Sequence, residues 1–138
     1  TLHTSDAVQT VSRIVSQFPA AQQTQVHAQL ASTLRYVICQ QLVPWSNGQG
    51  RSLAAEILTV NAAVRSLIRD GKVHQIGNAM QTGQASGMQT MDQSLLALVR
   101  DGQLTPETAA SYSQNPRGFL QEAARLKNQR RTHNQTDS

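Results

Sequence analysis

Tyr36-Val37-Ile38-Cys39-Gln40-Gln41-Leu42-Val43, the turn from Pro44 to Gly50, and the returning run Leu53-Ala54-Ala55-Glu56-Ile57-Leu58-Thr59-Val60 interrupt an otherwise helical sequence. Both runs favour extended backbone, and Asn47-Gly48 between them is a dipeptide that tolerates positive φ in a tight turn. They predict a β-hairpin. A two-stranded ribbon is marginal alone in water, so the pair is expected to belong to a larger sheet whose other strands are not evident here.

Upstream of the hairpin the apolar period is that of a helix. Ser5 or Asp6 can cap a segment in which Ala7, Val11, Ile14, Val15 and Phe18 share a face, and Pro19 punctuates it. A second segment, 20–34, repeats the pattern with Val26, Leu30 and Leu34 among glutamines. Downstream, Asn61 caps a helix ending at Gly71, another spans 73–84, and a third runs from Met88 to Gly102 with a stripe of Met88, Met91, Leu95, Leu98 and Val99. The methionines read as core packing. Thr105-Pro106 and Asn115-Pro116 each place a cap before a proline at the first helical position, so two more helices start there.

Composition narrows the function classes. The chain has 138 residues, one cysteine and a formal charge of +4, the size of a single domain, with no apolar run able to span a membrane. A soluble, cytoplasmic protein is expected, with Cys39 a buried reduced thiol. Residues 125 to 138 hold Arg125, Lys127, Arg130 and Arg131 against Asp137, leaving the body at +1. The stretch 128–138 has no apolar residue to bury and is expected to be a disordered basic tail, either solubilising or making weak contact with an anionic partner. The chain opens at Thr1 without Met, as a fragment or a trimmed start would.

No self-contained active site is visible. There is no Gly-rich loop ending in Lys-Ser or Lys-Thr, and His3, His27, His74 and His133 lack partners at metal-ligand spacing, so no metal site is expected. Glu56 lies in the presumed second strand, and Asp70, Asp92, Asp101 and Glu107 fall at helix ends, so no acid/base pair can be named. Two places exceed this background. His3 stands at a strand-to-helix turn if Leu2 closes a strand, the position where α/β proteins contact ligands; the other reading is an exposed residue at a ragged end. Between Ala63 and Lys72, Arg65, Arg69 and Lys72 line one helix face over a footing of Val64, Leu67 and Ile68, either a solvated ridge or a partner surface.

The blocks Leu2-His3-Thr4, Gly48-Gln49-Gly50-Arg51 leading to Glu56-Ile57, Ala63 to Asp70, Gln81-Thr82-Gly83, and Gly87-Met88-Gln89-Thr90-Met91-Asp92 occur in the order seen in PilT-type type IV pilus retraction ATPases. The chain resembles this family over about residues 1 to 127. The resemblance implies an α/β fold, the C-terminal part of a RecA-like P-loop ATPase core, mostly helical in this portion with a β-hairpin. It implies three regions: 1–60 as the end of the ATPase core, 61–127 as a C-terminal helical subdomain, and 128–138 as the basic tail.

The resemblance further implies a hexameric motor that couples ATP hydrolysis to pilus retraction and twitching motility at the inner face of the bacterial inner membrane, working on inner-membrane pilus-base proteins and on no specific nucleic acid. ATP and Mg²⁺ would be bound by the full-length protein and not by this portion alone, which should be inactive without the phosphate loop. His3 and Thr4 correspond to the end of the family's His box, beside the nucleotide, with His3 the sensing residue. Ala63 to Asp70 corresponds to the signature Ala-Ile-Arg-Asn-Leu-Ile-Arg-Glu, which assigns partner coupling to Arg65, Leu67, Ile68 and Arg69. The alternatives are an ATPase of a related type IV secretion or conjugation system, and a free-standing helical interaction or nucleic-acid-binding module.

Overall fold

The computed structural model of the protein describes residues 1–136, the last six as backbone alone. Seven α-helices and one β-hairpin among these residues make a mostly helical chain, as the periodicity predicts. The chain forms two compact units, residues 1–40 with 55–91 and residues 41–54 with the chain from 92 onward. The hairpin runs through both units, its base in the first and its tip in the second.

In the first unit, α1 (Ala7–Ser16) starts at Asp6, whose carboxylate accepts the Gln9 N–H at 2.7 Å. Ala7, Val11 and Val15 are buried at the predicted spacing, whereas Phe18 lies past the helix end and is 42 % exposed. α2 (Ala20–Thr33) follows Pro19 and buries Val26 and Ala31. The strands β1 (Tyr36–Pro44) and β2 (Arg51–Thr59) alternate strictly, with Val37, Cys39 and Val43 inward on one and Ser52, Ala54, Glu56 and Leu58 inward on the other. This period of two settles the hairpin. The sheet has two strands among the described residues, so the further strands expected of it are not found there, and Tyr36, Ile38, Leu42 and Leu53 remain exposed on its outer face.

α3 (Ala62–Arg69) is capped by Asn61, which accepts the Val64 N–H at 3.0 Å. The helix expected over 73–84 is broken into a 3₁₀ turn Val73–Gln75, α4 (Ile76–Gln81) and a second 3₁₀ turn Gln84–Ser86. Close packing and backbone sign explain the break. A Cβ on Gly83 would lie 2.6 Å from the Met88 sulfur, and Gly87 takes φ +78, a left-handed value that ends the turn. The redirected chain lets Gln89 pair with Ile57 in an antiparallel bridge, with N–H to O distances of 2.8 and 2.9 Å. The next helix, α5 (Met91–Arg100), therefore begins three residues later than the sequence period suggests. Ala7, Val11, Ala31, Val37, Cys39, Leu58, Val64, Ile68, Ile76 and Met88 all enter one buried cluster, the core of this unit.

The second unit joins the hairpin tip to the remaining helices. The Trp45 indole N–H donates to the Ser52 hydroxyl at 2.8 Å, and that hydroxyl donates to the Gln103 side-chain oxygen at 2.8 Å. Thr105 and Asn115 cap α6 (Pro106–Ala110) and α7 (Pro116–Thr136), as their position before proline predicts. Leu95, Leu104, Ala110, Phe119 and Ala123 are buried within this unit. The stretch 128–138, expected without structure, is helical as far as Thr136 because adding a residue to an existing helix forms one hydrogen bond without a new nucleus, and Gln, Lys and Arg are good helix formers. Residues 137 and 138 lie outside the described residues. No described helix is long and apolar enough to cross a membrane.

Candidate functional site

His3 precedes α1 with its side chain exposed and its backbone in the left-handed region at φ 51, the one non-glycine residue with positive φ among those described. Histidine visits this region more readily than most side chains, yet the conformation is uncommon enough to require local support. The support begins at the next residue. The Thr4 hydroxyl hydrogen-bonds the Thr10 hydroxyl, and Thr10 donates to the Asp6 carbonyl at 2.8 Å. Thr4 is therefore occupied in holding the turn. Of the two residues that the family resemblance sets beside a nucleotide, His3 alone presents an uncommitted surface position, and Thr4 acts by fixing it.

The strongest anchor is a residue that sequence reasoning passed over. Glu56 is 7 % exposed, and one carboxylate oxygen accepts the Ala7 N–H at 2.8 Å while the other accepts the Met91 N–H at 3.0 Å. Ala7 and Met91 are the first residues of α1 and α5, so one buried carboxylate answers unpaired backbone donors at two helix starts. Each such charged hydrogen bond is worth about 1.5–3 kcal/mol. The inward parity of Glu56 on β2, in phase with Ala54 and Leu58, was the available signal for it.

Cys39 sits behind the same turn, its sulfur 3.7 Å from the Thr10 hydroxyl. Burial pushes its thiol up from the ordinary value, hydrogen bonding with Thr10 pulls the other way, the Glu56 and Asp6 carboxylates push it up again, and hydrogen bonding with Thr4 lowers it. The thiol is buried and protonated, as the apolar run around it predicts.

α3 presents what its period promises. Val64 and Ile68 are fully buried and Leu67 is partly buried against the same core, so these residues are footing. This corrects the place of Ile68 in the expected coupling set: its side chain cannot touch a partner, and it holds the helix instead. Arg65 and Arg69 are exposed. Arg65 donates from Nε to the Ala31 carbonyl near the end of α2 at 3.1 Å, and Arg69 pairs with Asp70 at 3.3 Å. The His3 turn and α3 share the core through Ala7 and Val11 on one side and Val64 and Ile68 on the other.

An open groove of about 310 Å³ in the first unit is lined by Ser12, Gln23, His27, Gly71 and His74 among others. It contains no lysine or arginine, the charged donors that recognise phosphate. Among the described residues no cluster of three His, Cys, Asp or Glu side chains is arranged to hold a metal ion.

Known proteins resemble the chain over most of its length. A twitching motility protein of Neisseria gonorrhoeae is 52 % identical over 115 residues, covering 83 % of this chain and 31 % of that protein. The type IV pilus retraction ATPase PilT of Pseudomonas aeruginosa is 41 % identical over 119 residues, covering 86 % of this chain and 34 % of that protein. In structure, the pilus retraction motor PilT with bound ADP superposes with a TM-score of 0.75 at 42 % identity, over 86 % of this chain and 32 % of that one. The ATPase DotB of Legionella pneumophila gives a TM-score of 0.63 at 22 % identity, over 78 % of this chain and 29 % of that one, a likeness of fold alone. No protein-family model matches the sequence. The chain is a homologue of twitching-motility and PilT ATPases, its fold is part of their RecA-like class, and it spans about a third of their length.

Proposed function

We propose that the chain is the sensing and coupling portion, C-terminal in its parent, of a PilT-type motor ATPase that retracts a type IV pilus and drives twitching motility. The observation that carries this reading is 52 % and 41 % identity to a twitching motility protein and to PilT over more than four fifths of the chain. The parent is a hexameric ring at the inner face of the inner membrane, hydrolysing ATP with Mg²⁺ and acting on pilus-base proteins. The alternative of a related secretion-system ATPase gains nothing from DotB, whose likeness at 22 % identity is one of fold alone.

In this mechanism segments outside the chain bind the phosphates and supply the chemistry. His3, held out by its left-handed turn, offers an imidazole to the γ-phosphate end of ATP. A shift there moves a rigid body, because Thr4 and Asp6 lock the turn to α1 and Glu56 ties the first residue of α1 to the hairpin. The buried cluster shared with Val64 and Ile68 carries the movement to α3, which presents Arg65 and Arg69 to the neighbouring subunit or the pilus base. The regions 1–60 and 61–127 are the core end and the coupling subdomain of this device.

The test is Arg69→Ala in the full-length protein. Its ion pair with Asp70 is exposed, so the substitution leaves folding intact. Nucleotide binding and basal hydrolysis are expected within about threefold of the parent, since no phosphate contact is removed, while twitching zones shrink severely. Normal twitching would refute the coupling role.

A further inference from the structure

The hairpin tip carries the one Asn-Gly step of the chain, Asn47-Gly48; the other five asparagines are followed by alanine, proline or glutamine. Both residues of the step are exposed. Apart from its chain neighbours, no atom lies within 4 Å of the point where a Cβ on Gly48 would stand, so the Gly48 nitrogen is open to approach. Two hydrogen bonds set the geometry around it. The Asn47 side-chain oxygen accepts the Gln49 N–H at 3.0 Å, which folds the carboxamide back along the chain over the Gly48 peptide group. The Gly48 N–H donates to the Trp45 carbonyl at 3.0 Å. The first bond draws electrons from the carboxamide carbon Cγ, and the second is the one restraint on the nitrogen beside it.

Other asparagines lack this combination. Asn61 and Asn115 hold helix starts with their side-chain oxygens, and Asn115 precedes Pro116, which has no N–H to give up. Asn78 and Asn128 lie inside α4 and α7, and each precedes a residue with a side chain.

We propose that Asn47 is a self-modification site, converted without an enzyme to aspartate and isoaspartate. Hydroxide takes the Gly48 amide proton, and the nitrogen attacks Asn47 Cγ to close a five-membered imide. The electron pair of the Cγ–O double bond moves to Oδ1, where Gln49 already donates, and its return expels the side-chain nitrogen as ammonia, which takes its proton from water. Water then opens the imide. Opening at the Cγ carbonyl gives aspartate, and opening at the main-chain carbonyl gives isoaspartate, whose backbone runs through the side chain and is one atom longer. One water is consumed and one ammonia released, with no oxidant or reductant.

The consequence falls on Trp45, the single tryptophan of the chain. Its backbone N–H closes the turn on the Gly50 carbonyl at 2.8 Å, and its ring covers Gly50 so closely that a Cβ there would lie 2.5 Å from it. A longer backbone and a new carboxylate between these anchors disturb the seat of that ring. The conversion runs one way and marks the age of the chain. It stands independently of the pilus reading.

The test is a time course of the folded 138-residue chain at about pH 7 and about pH 9, read by mass spectrometry of tryptic peptides and by methyl transfer from S-adenosylmethionine with an isoaspartyl methyltransferase as probe. The peptide of residues 36–51 is expected to gain about 1 Da and to accept methyl groups, faster at the higher pH, while peptides holding the other asparagines stay unchanged. The bond from Gly48 to Trp45 has to open first, so the folded chain is expected to react up to about tenfold more slowly than the free peptide of the same residues. Tryptophan emission is expected to shift with the same time course. The variant Asn47→Gln keeps an exposed amide but would have to close a six-membered ring, and it is expected to accept no methyl groups over the same period. Methyl acceptance that persists in Asn47→Gln, earlier conversion at another asparagine, or a folded chain that stays unconverted far beyond the tenfold delay would each overturn the assignment. Conversion with unchanged emission would overturn the effect on Trp45.

Discussion

At Cys39 burial and two nearby carboxylates outweigh the hydrogen bonding of Thr10 and Thr4, so the thiol keeps its proton. Burial is the largest influence, and the Glu56 and Asp6 carboxylates act in the same direction by disfavouring a second negative charge nearby. The sequence expectation of a buried, unreactive thiol rested on the apolar run Tyr36-Val37-Ile38-Cys39 and needed nothing more. What it did not contain is the consequence for pH. An unfolded thiol releases its proton near 9.0 and the folded one only above that, so stability is complete below this pH and declines as pH rises through the folded value. Cys39→Ala removes the titration. We expect the variant to be less stable than the parent at pH 7 and to show a flatter stability profile from pH 8 to 11, measured by urea unfolding. Parallel profiles for the two proteins would remove Cys39 from the alkaline transition.

Glu56 decides how two helices begin. A carboxylate can accept on both oxygens, and here each oxygen receives one helix-start N–H. The amide of Glu56→Gln has the same shape and one accepting oxygen, so either Ala7 or Met91 would face an N–H group. A loss of about 2 kcal/mol is expected, the size of an unsatisfied buried donor, with a lower midpoint in thermal unfolding monitored by circular dichroism. An unchanged midpoint would mean that the two amides find other acceptors. The elements themselves were legible to different degrees. The hairpin was, because β-prone runs flank a turn dipeptide, and so were the caps Asn61, Thr105 and Asn115, because each acts on residues three positions away. The start of α5 was not, because it depends on a bridge between Gln89 and Ile57, thirty-two positions apart. Glu56 was missed for the same reason: its partners are 49 and 35 residues away, and only the parity of β2 pointed inward.

Across the whole chain, the proposed function makes the site a presentation device. The family resemblance marked His3 and α3, and the residues alone could show only an exposed histidine and a basic ridge. The fold adds a reason for both to move together: each stands on the buried cluster formed by α1, α3 and the hairpin base, while Ile68 works from inside it. On the proposed function, sensing and coupling are separate, and the two predict different signatures in the full-length protein. His3→Asn is the informative substitution, since asparagine tolerates the left-handed backbone at φ 51 and removes the imidazole without straining the turn. Nucleotide affinity is expected to stay within about threefold, because on the proposed function other segments of the parent hold the phosphates, while hydrolysis falls about 100- to 1,000-fold, the usual worth of one positioned donor at the developing charge. Twitching is then lost together with turnover, unlike Arg69→Ala, where turnover persists. Hydrolysis at the parental rate in His3→Asn would end the sensing assignment and leave α3 as a coupling surface driven from elsewhere in the motor.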